Sequence, residues 1–165
     1  MVDFDRSLRT LVKDLSDTMV EANGVGLAAP QLGVSLRVFT YLTNPEDDDE
    51  PPRVAHIVNP EMVEVDQEEV EDMEGCLSVP GFSYPLRRSR RVVARGMDQH
   101  GEPVEVTGAD RLARCLLHET DHLDGVIFLD RLDPQTRRRA MSEIRERMLA
   151  GEDIQVKSSP HRPLF

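Results

Sequence analysis

The sequence predicts an α+β fold, with antiparallel or mixed short-stranded sheets around a central helix that carries an H-E-x-x-H motif. Three observations lead there. Apolar residues recur at helical spacing near the start of the chain. Several short β-prone runs bounded by turn residues fill the middle. Two further helical stretches close the order, and helices segregated from a run of strands point to α+β.

The elements follow in order. Leu8, Leu11, Val12, Leu15 and Met19 form the stripe of an amphipathic first helix, and Asn23-Gly24 stops it. LRVFTYL (36–42) reads as a strand. NPEDDDEPP (44–52) reads as an acidic loop. VAHIV (54–58) and MVEV (62–65) read as two short strands about the Asn59-Pro60 turn. Residues 46–74 hold 13 acidic side chains against the single Arg53, and are read as a solvated face. RVVARGMD (91–98) and PVEVTG (103–108) read as a hairpin closed by Gln99-His100-Gly101. A helix is expected from about Ala109 to Leu123, with Asp110 in its first turn and Gly125 beyond its end. VIFL (126–129) reads as a short final strand. Asp133 as cap and Pro134 at the first helical position open a last helix. Its apolar stripe is Ala140, Met141, Ile144, Met148 and Leu149. The tail KSSPHRPLF (157–165) reads as flexible.

With 165 residues, one catalytic domain over 1–165 is expected. The net formal charge of −11 argues against free nucleic acid or an anionic membrane as the partner of the molecule as a whole. No apolar run approaches the ~18 residues of a membrane span. The start, MVDFDRSLRTLV, shows no basic-then-apolar leader. Two cysteines, Cys76 and Cys115, make no disulfide framework. A cytoplasmic location with both thiols reduced is expected.

His118-Glu119-Thr120-Asp121-His122 lies inside the expected helix, so residues four apart share one face and both imidazoles can meet one ion. Glu119 then stands within reach of a water on that ion. A catalytic ion commonly takes three protein ligands, so one is missing. Cys115, three residues before His118, and Cys76 are the candidates. Cys76 is preferred, because Glu74-Gly75-Cys76-Leu77-Ser78-Val79-Pro80-Gly81 allows a tight bend beside the ion.

Three segments together resemble peptide deformylases: Gly24-Val25-Gly26-Leu27-Ala28-Ala29-Pro30-Gln31, Glu74-Gly75-Cys76-Leu77-Ser78, and His118-Glu119-Thr120-Asp121-His122-Leu123-Asp124-Gly125. Their order and spacing are family-like across roughly Leu8 to Leu132. The resemblance implies a hydrolase that removes the formyl group from the N-terminal formylmethionine of newly made polypeptides and releases formate. It implies Cys76, His118 and His122 as metal ligands, with Fe2+ as the ion and Zn2+, Ni2+ or Co2+ able to replace it. A water at the fourth position attacks the formyl carbonyl, with Glu119 as general base and then acid. Gln31 and the backbone N–H of Leu77 match the oxyanion donors. Gly26 matches a backbone position that binds the peptide. Val25, Leu77 and Cys115 are expected to line the methionine pocket, which makes Cys115 a wall and not a ligand. Arg88 aligns with an arginine that reaches the substrate backbone in some members. The expected partners are N-formylmethionyl peptides and ribosome-associated nascent chains, with contact to the ribosome through Arg137, Arg138 and Arg139 of the last helix. Neither membrane nor DNA is expected. One departure stands out: the family usually has Gln directly before the first metal histidine, and here it is Leu117.

Overall fold

The computed structural model describes residues 3–43 and 51–151. The acidic loop expected at 44–52 lies mostly outside these residues, and the tail 157–165 entirely so. The chain runs α1 (Arg6–Glu21), β1 (Gly26–Ala28), a 3-10 turn (Ala29–Leu32), β2 (Val38–Leu42), β3 (Val54–Val65), β4 (Glu69–Cys76), β5 (Val79–Ser89), β6 (Arg91–Met97), β7 (Pro103–Ala109), α2 (Asp110–Leu123), α3 (Phe128–Arg131) and α4 (Pro134–Leu149).

Five strands form one sheet in the order β1-β2-β3-β6-β7, and β4-β5 form a separate hairpin. Every pairing is antiparallel. The α+β fold with antiparallel sheets is the expected one, but two points need correction. The sheets are not uniformly short-stranded, since β3 spans 12 residues and β5 spans 11. The metal-ligand cluster is also not carried by the central helix motif alone. Cys76, at the end of β4, joins His118 and His122, so the site is a Cys/His/His set shared by hairpin and helix.

Other elements differ locally. The two short strands around Asn59-Pro60 are one strand, β3. Asn59 takes a positive φ of 49°, and the register against β6 shifts on either side of Glu61 and Met62, so the turn residues become a bulge. VIFL is no strand: Ile127 is extended and Phe128 begins the one-turn helix α3, whose Phe128 and Leu129 are buried. The hairpin β4-β5 replaces the plain acidic face. Its first strand shows solvent five acidic or apolar side chains in a row, Glu69 to Met73, before Glu74 turns inward. On α4 only Ala140 is buried, while Met141, Met148 and Leu149 are exposed.

Three apolar clusters hold these layers together. α2 packs Leu112, Ala113, Cys115 and Leu116 on Phe39, Tyr41, Ile57, Val92 and Ala94 of the large sheet, with Leu117 at the margin. α1 closes the sheet's end through Leu8, Val12, Leu15 and Met19 against Leu27, Val38 and Val58. Asp5 caps α1 by accepting from the backbone N–H of Ser7 and Leu8. The hairpin packs Phe82, Tyr84 and Leu86 against Phe128, Leu129, Leu132 and Ala140. α2 is thus covered by the sheet on one side and by the hairpin on the other. No helix among the described residues is long and apolar enough to cross a membrane.

Candidate metal centre

The third and fourth turns of α2 turn polar side chains inward. His118, Glu119, Asp121 and His122 are all buried, against the usual preference of charged groups for water. Such groups need partners, and the hairpin provides them.

Cys76 Sγ lies 3.1 Å from His122 Nε2, and His122 Nε2 lies 3.2 Å from His118 Nε2. The three donor atoms all fall within 4.8 Å of one another. Tetrahedral ligands at bond lengths of ~2.0–2.3 Å stand roughly 3.4–3.6 Å apart, so the two separations through His122 lie within a few tenths of an ångström of what one ion requires. The donor chemistry agrees, since a thiolate and two imidazoles suit borderline divalent metals. Burial opposes ionisation of the Cys76 thiol, but hydrogen bonds from His118 and His122 outweigh it and bring its pKa down to about 6. The sulfur is therefore available as thiolate near neutral pH.

Glu74 fixes the orientation of His118. Its Oε1 lies 2.7 Å from His118 Nδ1, which leaves Nε2 turned toward Cys76 and His122. The same carboxylate accepts from Arg88 Nη2 at 2.7 Å and Nε at 3.1 Å, and from Arg114 Nη1 at 2.9 Å. Burial would raise its pKa, yet the hydrogen bonds from His118 and Arg88 hold it at about 2. Arg88 also donates to Asp121 Oδ2 at 2.8 Å, and Asp121 accepts from Arg131 Nη2 at 2.7 Å. A buried ion-pair network thus clamps the hairpin to α2 behind the ligands.

Glu119 sits on the cavity side. Burial is the dominant influence on its carboxyl and pushes the pKa up to about 7, against the charges of His118 and His122. Its Oε2 is buried without a hydrogen-bond partner. Gly26 makes room for it. A Cβ at Gly26 would stand 2.7 Å from Glu119 Cδ, closer still to Oε1, and 2.8 Å from Cys115 Sγ. Gln31 is oriented by the backbone: its Oε1 accepts from Ala28 N–H at 2.8 Å, so Nε2 faces Ser78 Oγ at 3.0 Å and Cys76 Sγ at 3.7 Å.

A recess opens over these groups. The expected residues Val25, Gly26, Gln31, Cys76, Leu77, Cys115, His118 and Glu119 line it, and His122 lies behind them as the third donor. Cys115 is not in the donor set. Its thiol donates to the Val25 carbonyl at 3.3 Å, and burial pushes its pKa well up. Arg88 is the residue that the structure does not bring to the cavity. Its guanidinium is consumed by Glu74 and Asp121, so an acceptor on a substrate would have to displace a buried carboxylate.

Sequence reasoning missed four residues here. Glu74 was visible only as a neighbour of Cys76, and its partners stand 14 to 44 positions away in the chain. Ser78 was quoted without a role. Arg111 and Arg114 did leave a signal, two cations three apart on an otherwise apolar helix face.

Comparison with known proteins places this arrangement. A profile of the polypeptide deformylase family matches residues 1–138. The chain is 55% identical over 161 residues to a peptide deformylase of Acidothermus cellulolyticus, covering 98% of this chain and 85% of the relative. It is 56% identical over 163 residues to one from Parafrankia sp., with the same coverage. Among solved structures, a peptide deformylase from Legionella pneumophila superposes with a TM-score of 0.78 at 42% identity, covering 93% of this chain and 88% of the other. One from Ehrlichia chaffeensis gives 0.80 at 35% identity, covering 92% and 88%. Identity of this degree along nearly the whole length, on the same fold, leaves one assignment: the chain belongs to the polypeptide deformylase family.

Proposed function

We propose that this chain acts as a peptide deformylase, hydrolysing the formyl amide of N-terminal formylmethionine on newly made polypeptides and releasing formate and a free amino terminus. The observation that carries this reading is the buried, partnerless Glu119 Oε2 beside three donors that converge on one ion position. Cys76, His118 and His122 would hold a divalent ion, which would supply Lewis-acid polarisation and acidify a water. The remaining work falls to the chain's own groups. Glu119, buried and with Oε2 unpartnered, can take a proton from the attacking water and return it to the leaving amine. Gln31 Nε2 and the Leu77 backbone N–H donate to the oxygen on which negative charge develops. The Gly26 backbone pairs with the peptide, and Val25, Leu77 and Cys115 wall the recess for the methionine side chain. Arg88 acts at a distance, by holding Glu74 and Asp121 in place.

The ion is Fe2+ in this reading, with Zn2+, Ni2+ or Co2+ as ions that the same donors accept. Residues 1–165 work as one catalytic domain in the cytoplasm, where thiols stay reduced. Contact with the ribosome runs through Arg137, Arg138 and Arg139 on α4. Two of these are engaged within the chain, Arg137 by Asp130 and Arg139 by Glu143, which leaves Arg138 as the main point of attraction to a polyanion.

Formate release from formyl-Met-Ala-Ser by the metal-loaded protein tests the activity. Glu119→Gln should keep the ion and lose nearly all turnover. Absence of formate, or retention of more than roughly a tenth of kcat in the variant, refutes the assigned chemistry. Metal content after anaerobic purification decides between iron and zinc. Ribosome co-sedimentation that survives conversion of the three arginines to Glu removes the ribosome contact.

A further inference from the structure

The two donors placed on the developing negative charge come from separate parts of the chain. Gln31 stands in the 3-10 turn after β1, and Leu77 in the loop between β4 and β5. Cys76 pairs with Val79 across the hairpin, so Leu77 and Ser78 are the two residues of that loop. Two-residue hairpin loops favour left-handed backbone at one or both positions. Neither Leu77 nor Ser78 has a positive φ. The register also shifts between Gly75 and Cys76, just before the loop. Turn preference alone therefore does not set the shape of this loop, and contacts from outside the hairpin help to fix it.

Ser78 makes such a contact. Its Oγ accepts from Gln31 Nε2 at 3.0 Å, across 47 positions of sequence. Its backbone N–H donates to Cys76 Sγ at 3.4 Å. At the other end of the same amide, Gln31 Oε1 accepts from Ala28 N–H at 2.8 Å, which fixes which way round the amide lies. A flip or a swing of the amide then breaks one of these bonds. The second N–H of Nε2 is left with Cys76 Sγ at 3.7 Å, a long contact that a substrate oxygen can replace. Ser78 is exposed, so its hydroxyl contributes a tie and little packing.

We propose that Ser78 is a positioning residue for the oxyanion donors: its hydroxyl holds the Gln31 amide against the hairpin loop, and so sets the spacing between Gln31 Nε2 and the Leu77 N–H. The proposal rests on the deformylase reading. Donors aimed in advance cost no reorganisation when charge develops, and a misplaced donor loses much of its effect on the transition state. Without the hydroxyl, Gln31 keeps its bond to Ala28 and stays at the recess, but Nε2 is free to turn. The neutral carbonyl of the bound substrate gains little from that donor, so the loss falls on kcat and not on KM.

The experiment measures kcat and KM on formyl-Met-Ala-Ser for metal-loaded wild type, Ser78→Ala, Ser78→Thr, Gln31→Ala and the double variant of Ser78→Ala with Gln31→Ala. In Ser78→Ala, kcat should fall roughly tenfold with KM within about twofold, the size of one displaced hydrogen bond. Ser78→Thr keeps the hydroxyl and should stay within about threefold of wild type. In the Gln31→Ala background the serine change should cost less than about twofold, because the amide it positions is gone. A kcat fall under about threefold in Ser78→Ala, a loss confined to KM, a Thr variant as slow as the Ala variant, or an equal loss with and without Gln31 overturns the proposal. A second readout needs no turnover. In the metal-free protein, the NMR signals of the Gln31 side-chain amide should stand apart from those of free glutamine and move to that position in Ser78→Ala; signals that the substitution leaves in place overturn the proposal as well. Failure of the deformylase reading would show differently, as absence of formate from the wild type, with the amide signals still reporting whether Ser78 holds Gln31.

Discussion

Replacing Glu74 by Gln perturbs the buried network at its centre. The side chain keeps its shape and is 2% exposed in the parent, so no cavity forms. What changes is charge and hydrogen-bond sense. The carboxylate accepts from Arg88 twice, from Arg114 once and bonds His118, all between 2.7 and 3.1 Å. An amide can keep one oxygen among these donors, but its NH2 then faces N–H groups. Arg88 retains Asp121, whereas Arg114 is left with the Val70 carbonyl alone. Removing one partner of a buried ion pair costs about 3–5 kcal/mol. The pKa gives an independent figure for the metal-free protein. A drop from 4.5 to about 2 corresponds to about 3 kcal/mol at ~1.4 kcal/mol per unit. For a chain of this size, about 3 kcal/mol lowers Tm by roughly 6–12 °C. The sign with pH follows from a depressed folded-state pKa. The stabilisation is complete above the unfolded value of 4.5 and is lost as pH falls toward 2, so the wild-type and variant stabilities converge in acid. Urea unfolding of both metal-free proteins at pH 7 and at pH 3 is the assay. A chelator competition on the metal-loaded forms should also show metal affinity weakened roughly 10–100-fold, because His118 loses its orienting partner. A stability difference under about 1 kcal/mol at pH 7, or one that grows toward pH 3, would refute the reasoning.

Three other changes probe the site from different sides. Gly26→Ala drives a methyl group into Glu119 and Cys115, so kcat/KM should fall by roughly a hundredfold or more while the purified protein keeps one ion per chain; near-normal turnover would mean the Glu119 position is unimportant. In metal-free protein at pH 7, iodoacetamide should label Cys76, whose pKa is about 6, well before Cys115, whose thiol burial holds protonated; peptide mapping reads the order, and prior labelling of Cys115 contradicts it. Leu117 packs at the margin of the sheet cluster, so Leu117→Gln should change kcat/KM by less than roughly tenfold with the same metal loaded; a hundredfold gain would mark the natural chain as a slow enzyme.

Elements whose apolar pattern has a period were legible from the residues alone. α1, the β6-β7 hairpin, α2 and the Asp133-Pro134 start of α4 stand where the spacing puts them. β4 was hidden because Glu69 to Met73 are exposed without alternation, and its order comes from pairing with β5 and not from its own sequence. The continuity of β3 through Asn59-Pro60 was hidden because a bulge and a turn use the same residues. The ligand cluster divides in the same way. His118 and His122 declare themselves by helical spacing, whereas Cys76 was preferred to Cys115 only on the bend its Gly- and Pro-containing surroundings allow, until family resemblance settled the choice. The geometry shows why: Cys115 faces Val25, and Cys76 faces His122. The displacement of Arg88 from the cavity depends on Glu74 and Asp121 together, a contact set that no local pattern encodes.

The hairpin β4-β5 shares no strand pairing with the five-stranded sheet, yet it delivers Cys76 to histidines more than forty positions further along the chain. In the unfolded polypeptide these donors are far apart, so an ion held by all three recognises only the folded arrangement. Loading then works as a clasp between two layers that otherwise meet through side chains, and each tenfold excess of free ion over Kd adds about 1.4 kcal/mol to the native state. Starvation for metal would do more than silence the enzyme. It would remove one tie between the hairpin and α2, leave the Glu74–Arg88–Asp121 network and the packing of Phe82, Tyr84 and Leu86 to hold the layers, and turn ion supply into a control on how long the protein survives proteolysis.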